Sequence, residues 1–198
     1  MDLFALMRKA RSVLNPHWGL AVLVCFLYAV IVGGPSKLNT YGEVLTLLLA
    51  GPMQLGLNIY FLKIANQQQH GIENFLEGFK PLLNVLLVYF SIVILTMVGL
   101  LLFIVPGFII AIGLSMTYFI MAEHPEIAFT DALQESWKLT DGHKWELFLL
   151  NLRFIPWYLL GLLCLIVGIF VVMPWHQTTL AMYYEHLKNQ SAKKDLIL

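Results

Sequence analysis

The chain has 198 residues, of which 59% are hydrophobic and only 12% charged, and its mean hydropathy is +0.76. Soluble domains carry about 25% charged residues. Twelve Lys and Arg balance twelve Asp and Glu, and this composition excludes a disordered chain, a disulfide scaffold and a nucleic-acid binder, leaving an integral membrane protein.

In chain order, the first element is a one-sided helix. Leu3, Leu6, Met7, Ala10, Val13 and Leu14 share a face, with Arg8, Lys9 and Arg11 away from it. The i, i+3, i+4 recurrence is that of an amphipathic helix, and beside a crossing such a helix is expected in the headgroup plane. An uncharged run follows from Ser12 to Ser36, and a second from Val44 to Leu62 with Pro52 inside it. The next amphipathic stretch places Ile72, Phe75, Leu76 and Phe79 together, apart from Glu73, Glu77 and Lys80. Pro81 to Ala122 then contain no Asp, Glu, Lys or Arg. A membrane helix needs about 20 apolar residues, so this stretch holds two crossings, and Val105-Pro106-Gly107 is the natural turn between them. A third one-sided stretch carries Phe129, Ala132, Leu133 and Trp137, apart from Asp131, Glu135 and Lys138. The last uncharged run, Phe154 to Tyr184, is expected to break at Met173-Pro174.

The fold expected from these runs is all-α. It is a polytopic membrane protein with about six transmembrane helices in three hairpins, each preceded by an interfacial amphipathic helix. The crossings are placed at about 17–34, 44–63, 82–104, 107–122, 147–172 and 174–187. The last is short; it either tilts, crosses a thinned bilayer, or is re-entrant or interfacial. A single membrane domain, 1–198, is expected, with internal repeats at 1–65, 70–122 and 127–187. The repeats share a Val-Gly pair near the far end of each long crossing (Val32-Gly33, Val98-Gly99, Val167-Gly168). They also share a proline opening each short crossing (Pro52, Pro106, Pro174), then an aromatic pair (Tyr60-Phe61, Tyr118-Phe119, Tyr183-Tyr184). Two crossings per unit make these parallel rather than inverted repeats. The alternative is that hydrophobic hairpins resemble one another without a shared repeat.

With six crossings, Lys37 stands alone among the basic residues on one side. The positive-inside rule then puts both termini and the amphipathic helices in the cytoplasm. The basic start and apolar run also suit a signal peptide, but no clear cleavage motif follows, so the first crossing is read as retained. Cys25 and Cys164 both fall mid-crossing and are read as small hydrophobes rather than as a metal pair or a disulfide.

Several stretches run in order along the chain: Gly51-Pro52-Met53-Gln54-Leu55-Gly56-Leu57, Tyr60-Phe61-Leu62, Ile104-Val105-Pro106-Gly107-Phe108-Ile109 and Met121-Ala122-Glu123-His124-Pro125-Glu126. They continue with Gly142-His143-Lys144-Trp145, Phe154-Ile155-Pro156-Trp157 and Tyr183-Tyr184-Glu185. Together, over about residues 44–187, they resemble the bacterial membrane-protein family catalogued as domain of unknown function 975. The resemblance implies a bacterial cytoplasmic (inner) membrane location and no particular activity. Pro156 departs from it, standing where the family pattern has Gly.

Arg153 is the sharpest site candidate, because a charge within hydrocarbon costs about 2.5–3.5 kcal/mol or more. Three outcomes are open. It snorkels to headgroups and binds lipid phosphate, it pairs with Glu146 or Glu123, or it lines a polar cavity for an anionic substrate. Gln54 and Asn58 lie on one helix face, and Gln177, Thr178 and Thr179 occupy the comparable stretch of the last crossing. Asn84 and Asn151 lie near the starts of two long crossings. All are either a substrate lining or interhelical hydrogen-bond glue. Gly107, Ala111 and Ser115 form a small-residue ladder for close helix packing. Glu123-His124-Pro125-Glu126 lacks the spacing of a metal helix and reads as a loop cap. His176, beside Trp175, reads as an outer interfacial residue.

No catalytic motif, metal set or cofactor site is expected. The chain is read as a non-enzymatic scaffold or accessory protein. Its partners would be the lipid bilayer, anionic lipid headgroups, a second copy of itself or a membrane-complex partner, and no nucleic acid. The alternative is a small-molecule or peptide transporter whose polar lining is Arg153, Gln54, Asn58 and Gln177.

Overall fold

The computed structural model describes residues 2–34, 40–163 and 167–195. Lys37 and Cys164 lie outside the described residues. Among those described there are ten α-helices and no strand.

Helix α1 (Leu3–Leu14) starts at Asp2, whose carboxylate accepts from the Phe4 amide at 2.9 Å. That removes one of the orphan donors of a helix start. Leu3, Leu6, Met7, Ala10 and Leu14 are buried. The sequence suggests a stripe turned to lipid, whereas the stripe packs on the chain's own last helix. The Trp175 indole donates to the Met7 carbonyl at 2.8 Å. A 3₁₀ turn at Asn15–His17, with Pro16 at its start, leads into α2 (Trp18–Gly33). Only Ala21, Val24 and Cys25 of α2 are buried.

Helix α3 (Thr40–Ala65) runs straight through Pro52. From Gly51 to Leu62 nearly every residue is buried. The second amphipathic stretch is shorter than its periodicity suggests. It forms α4 (Ile72–Leu76) and a 3₁₀ turn at Glu77–Phe79, with Phe75 buried but Ile72 and Leu76 exposed. Two glycines set this geometry. A Cβ on Gly56 would strike the Phe75 carbonyl, and one on Gly78 would strike the Pro52 carbonyl. The backbones therefore pack in direct contact here.

Helix α5 (Leu82–Leu102) and helix α6 (Ile104–Gly113) are joined by Phe103 alone, in extended backbone. The turn thus lies before Val105-Pro106-Gly107, not on it. Pro106 falls in the first turn of α6, where a missing N–H costs nothing. The expected crossing at 107–122 is bent. After Gly113 the chain turns, with Ser115 Oγ donating to the Ile112 carbonyl at 2.7 Å, and resumes as α7 (Thr117–Glu123). Helix α8 (Phe129–Leu139) is seated on this bend. Ser136 Oγ and Thr140 Oγ1 donate to the Gly113 carbonyl at 2.9 and 3.1 Å. The Trp137 ring fills the space that a Gly113 side chain would need, and Lys144 Nζ sits 3.8 Å above that ring.

Helix α9 (Lys144–Leu163) contains Pro156, and α10 (Val167–Asp195) contains Pro174. The expected break at Met173-Pro174 is therefore corrected. The chain leaves α9 after Leu163, so residues 167–172 belong to the last helix, which also runs past 187. A proline is tolerated inside a helix when its neighbours re-satisfy the freed backbone. Close contact between Gly161 and Gly168 clamps the start of α10 to α9.

Among the described residues, five helical runs are long and apolar enough to cross a membrane: Leu3–Gly33, Gly42–Ala65, Leu82–Leu102, Ile104–Glu123 and Lys144–Leu163. The sixth expected crossing, in α10, is not among them, because Trp175-His176-Gln177-Thr178-Thr179 dilutes its apolar character. Burial separates two groups. Helices α3, α7 and α10 carry the core, with Tyr60, Phe61, Phe119, Tyr183 and Tyr184 almost fully enclosed. Phe119 stacks on Tyr184 with centroids 5.5 Å apart. Helices α2, α5 and α9 expose apolar side chains, up to 88% at Leu101 and 80% at Leu163.

Candidate functional site

The site begins with a conflict in the sequence of α9. Arg153 sits in an apolar run between Leu152 and Phe154. It is half-buried, and its Cζ lies 4.2 Å from the Phe4 ring centroid on α1. Its Nη1 is shut off from solvent and has no hydrogen-bond partner. Leaving a buried polar group unmatched costs about 1–3 kcal/mol, and more when it is charged. The contact with Phe4 returns about 0.5–2 kcal/mol.

The two carboxylates considered for Arg153 are engaged elsewhere. Glu146 accepts from Tyr183 Oη at 2.9 Å and lies 3.7 Å from His143 Nδ1. Glu123 accepts from Tyr184 Oη at 2.7 Å and pairs with Lys188. Among the described residues Arg153 makes no ion pair. The two adjacent tyrosines thus tie α10 to α9 and α7. Reading Tyr183-Tyr184 only as an aromatic pair missed this role.

Where α1, α9 and α10 meet, aromatic side chains cluster. Arg11 Cζ lies 5.7 Å from the Trp175 ring, which meets Trp157 at 5.3 Å and Phe154 at 5.1 Å. Next to Trp175, His176 bridges α9 and α10. Its Nε2 lies 3.1 Å from Asn151 Oδ1 and its Nδ1 lies 3.0 Å from Tyr158 Oη. The Asn151 amide nitrogen donates to the Leu147 carbonyl at 2.8 Å. This set is satisfied by a neutral imidazole that donates from Nε2 and accepts the Tyr158 hydroxyl proton at Nδ1. Because α10 does not break at Pro174, position 176 falls between the two helices.

The remaining polar candidates are dispersed. Tyr28 Oη donates to Gln54 Oε1 at 2.9 Å, and the Asn58 amide nitrogen donates to the Gln54 carbonyl at 2.8 Å. Asn58 is buried. Thr178 and Thr179 return their hydroxyls to the Pro174 and Trp175 carbonyls. Asn84 reaches the Ile127 carbonyl at 3.4 Å. Gln177 is half-buried on α10. A groove of about 480 Å³ reaches Gln54, with Thr96, Ser115 and Tyr118 among apolar walls. Arg153, Asn58 and Gln177 are not on it. The structure therefore does not gather Arg153, Gln54, Asn58 and Gln177 around one space. In the small-residue ladder, Gly107 packs on Leu100 and Gly99 of α5, while Ala111 and Ser115 line the groove.

A cavity of about 810 Å³ at the junction of α1, α2 and the end of α3 was not foreseen. Ser12, His17, Gln68 and His70 are on its wall. The His17 and His70 rings meet edge to face at 4.2 Å. Among the described residues, no three His, Cys, Asp or Glu side chains are placed to hold a metal ion.

No curated protein and no solved structure matches the chain. A family model does match, over residues 82–191, so it includes α5 to α9 and most of α10, with Arg153 and His176. The stretches Gly51–Leu57 and Tyr60–Leu62 precede the matched region. With more than half of its length matched, the chain belongs to the family described as "Protein of unknown function (DUF975)".

Proposed function

We propose that the chain is a multi-pass protein of the bacterial cytoplasmic membrane. In this reading both termini are cytoplasmic, and the protein acts as a non-enzymatic scaffold or accessory protein that binds lipid or a partner. Its apolar outer helices α2, α5 and α9 would face the acyl chains. Its charged segments α1, α4 and α8 would form a cytoplasmic collar. The observation that carries the scaffold reading is how the polar side chains of the buried helices are used. Gln54, Asn58, Asn151, His176, Thr178 and Thr179 each make a hydrogen bond within or between helices. Polar groups so used act as glue rather than as a passage.

The transporter is the second reading, favoured by the groove at Gln54 and by the buried Thr96 hydroxyl, which has no partner. Proteoliposomes decide between the two. The expected result is small-anion flux no faster than in empty vesicles of the same lipid. Flux above that background, lowered by Arg153→Leu, makes the chain a transporter with Arg153 in its path.

A further inference from the structure

Arg153 is a cation with a buried nitrogen and no ion-pair or hydrogen-bond partner for that nitrogen among the described residues. Its surroundings are built to hold it. Phe4 covers the guanidinium from α1. One turn along α9, Trp157 joins Trp175, and Trp175 is in turn covered by Arg11. Helix α1 thus meets this wall at Phe4 and again at Arg11. Arg8 lies between these points on the same face, since positions 4, 8 and 11 share one side of a helix. Arg8 and Arg11 are exposed and enter no ion pair among the described residues. Asp2 is the acidic residue of this segment, and it caps α1 through the Phe4 amide.

Arg153 against Phe4, Arg11 against the Trp157–Trp175 pair and Arg8 on the same face of α1, with no ion-paired carboxylate among the described residues, suit a tetrahedral anion. A planar guanidinium pairs with phosphate oxygens through two parallel bonds. Indoles favour the water–hydrocarbon boundary.

We infer that Arg153, Arg8 and Arg11 form a binding site for the phosphodiester headgroup of an anionic phospholipid, with the acyl chains lying along the exposed face of α9. The site rests on the membrane reading above, and it holds for a scaffold or a transporter alike. The bound phosphate accepts from Arg153, and the two α1 arginines close over it.

The test uses the full chain in a non-ionic detergent, with lipid retention followed by native mass spectrometry. Phosphatidylglycerol, phosphatidylcholine and inorganic phosphate are added in separate arms. Wild type is expected to hold phosphatidylglycerol at least fivefold better than phosphatidylcholine. Arg153→Gln is expected to bring that preference below twofold, and Lys193→Gln, an exposed charge loss elsewhere, to leave it unchanged. Should Arg153→Gln not elute as a folded species, the double variant Arg8→Gln/Arg11→Gln makes the same comparison at exposed positions, with the same loss expected. Equal retention of the two lipids by wild type, or an undiminished preference in the variant read, overturns the site. Displacement of phosphatidylglycerol by equimolar inorganic phosphate overturns a lipid as its occupant. A chain that stays in solution without detergent fails the membrane reading itself, which is a separate outcome.

Discussion

At the scale of single residues, the polar groups inside this bundle fall into matched and unmatched sets. His176 has a partner for each ring nitrogen, in Asn151 and Tyr158. Removing one hydroxyl from such a set in a membrane protein costs about 0.6 kcal/mol, up to about 1.7. Tyr158→Phe is therefore expected to lower stability by that amount, and His176→Ala by more, because it leaves two buried groups stranded. Equilibrium unfolding in mixed detergent micelles, read by circular dichroism, checks both. Equal losses for the two variants would show that Asn151 and Tyr158 find other partners. Arg153 belongs to the unmatched set, and nothing local in the chain explains its retention in an apolar run. Its oddity was legible in the sequence. Its environment was not, because Phe4, Trp157 and Trp175 come from three different helices.

At the scale of elements, hydropathy located the apolar runs well, since the absence of charge is a property of sequence alone. Turns were harder to place. Met173-Pro174 reads as a break, yet α10 passes through Pro174 as α3 passes through Pro52. The real reversal between α5 and α6 is Phe103, a residue with no turn signature. The amphipathic periodicity of α1 was readable, but periodicity cannot say whether a greasy stripe meets lipid or protein.

Close backbone contacts were equally hidden, and they yield a paired prediction. Gly56→Ala would push a methyl into the Phe75 carbonyl, and overpacking of this kind costs about 1–3 kcal/mol. Gly19→Ala meets nothing within 4 Å, so its effect is expected to lie between neutral and about 1 kcal/mol stabilising, through helix propensity. Thermal unfolding of the two variants in one detergent measures the difference. Equal melting temperatures would remove the Gly56 contact as a determinant of the α3–α4 geometry.

At the scale of the whole molecule, the helices sort by burial into an inner set, α3, α7 and α10, and an outer set, α2, α5 and α9. The inner set contains the three aromatic pairs noted as recurring features. The supposed Val-Gly markers are not equivalent, since Val98-Gly99 lies in α5 and Val167-Gly168 opens α10. Membrane orientation is testable at this scale. In a chain with both native cysteines replaced, Asp2→Cys and Lys193→Cys are expected to react with an impermeant maleimide from the same face, and only after the inner surface is opened. Labelling of the two sites from opposite faces would mean an odd number of crossings.

The seating of α1 on α10 joins two segments 168 residues apart in the sequence. The ribosome makes the α1 stripe before its cover, which emerges only after α9. Until then Leu6, Met7 and Leu14 must shelter in lipid or against a chaperone. A chain stalled after α9 therefore carries a bare adhesive strip, a handle by which quality-control proteases can tell an unfinished copy from a finished one.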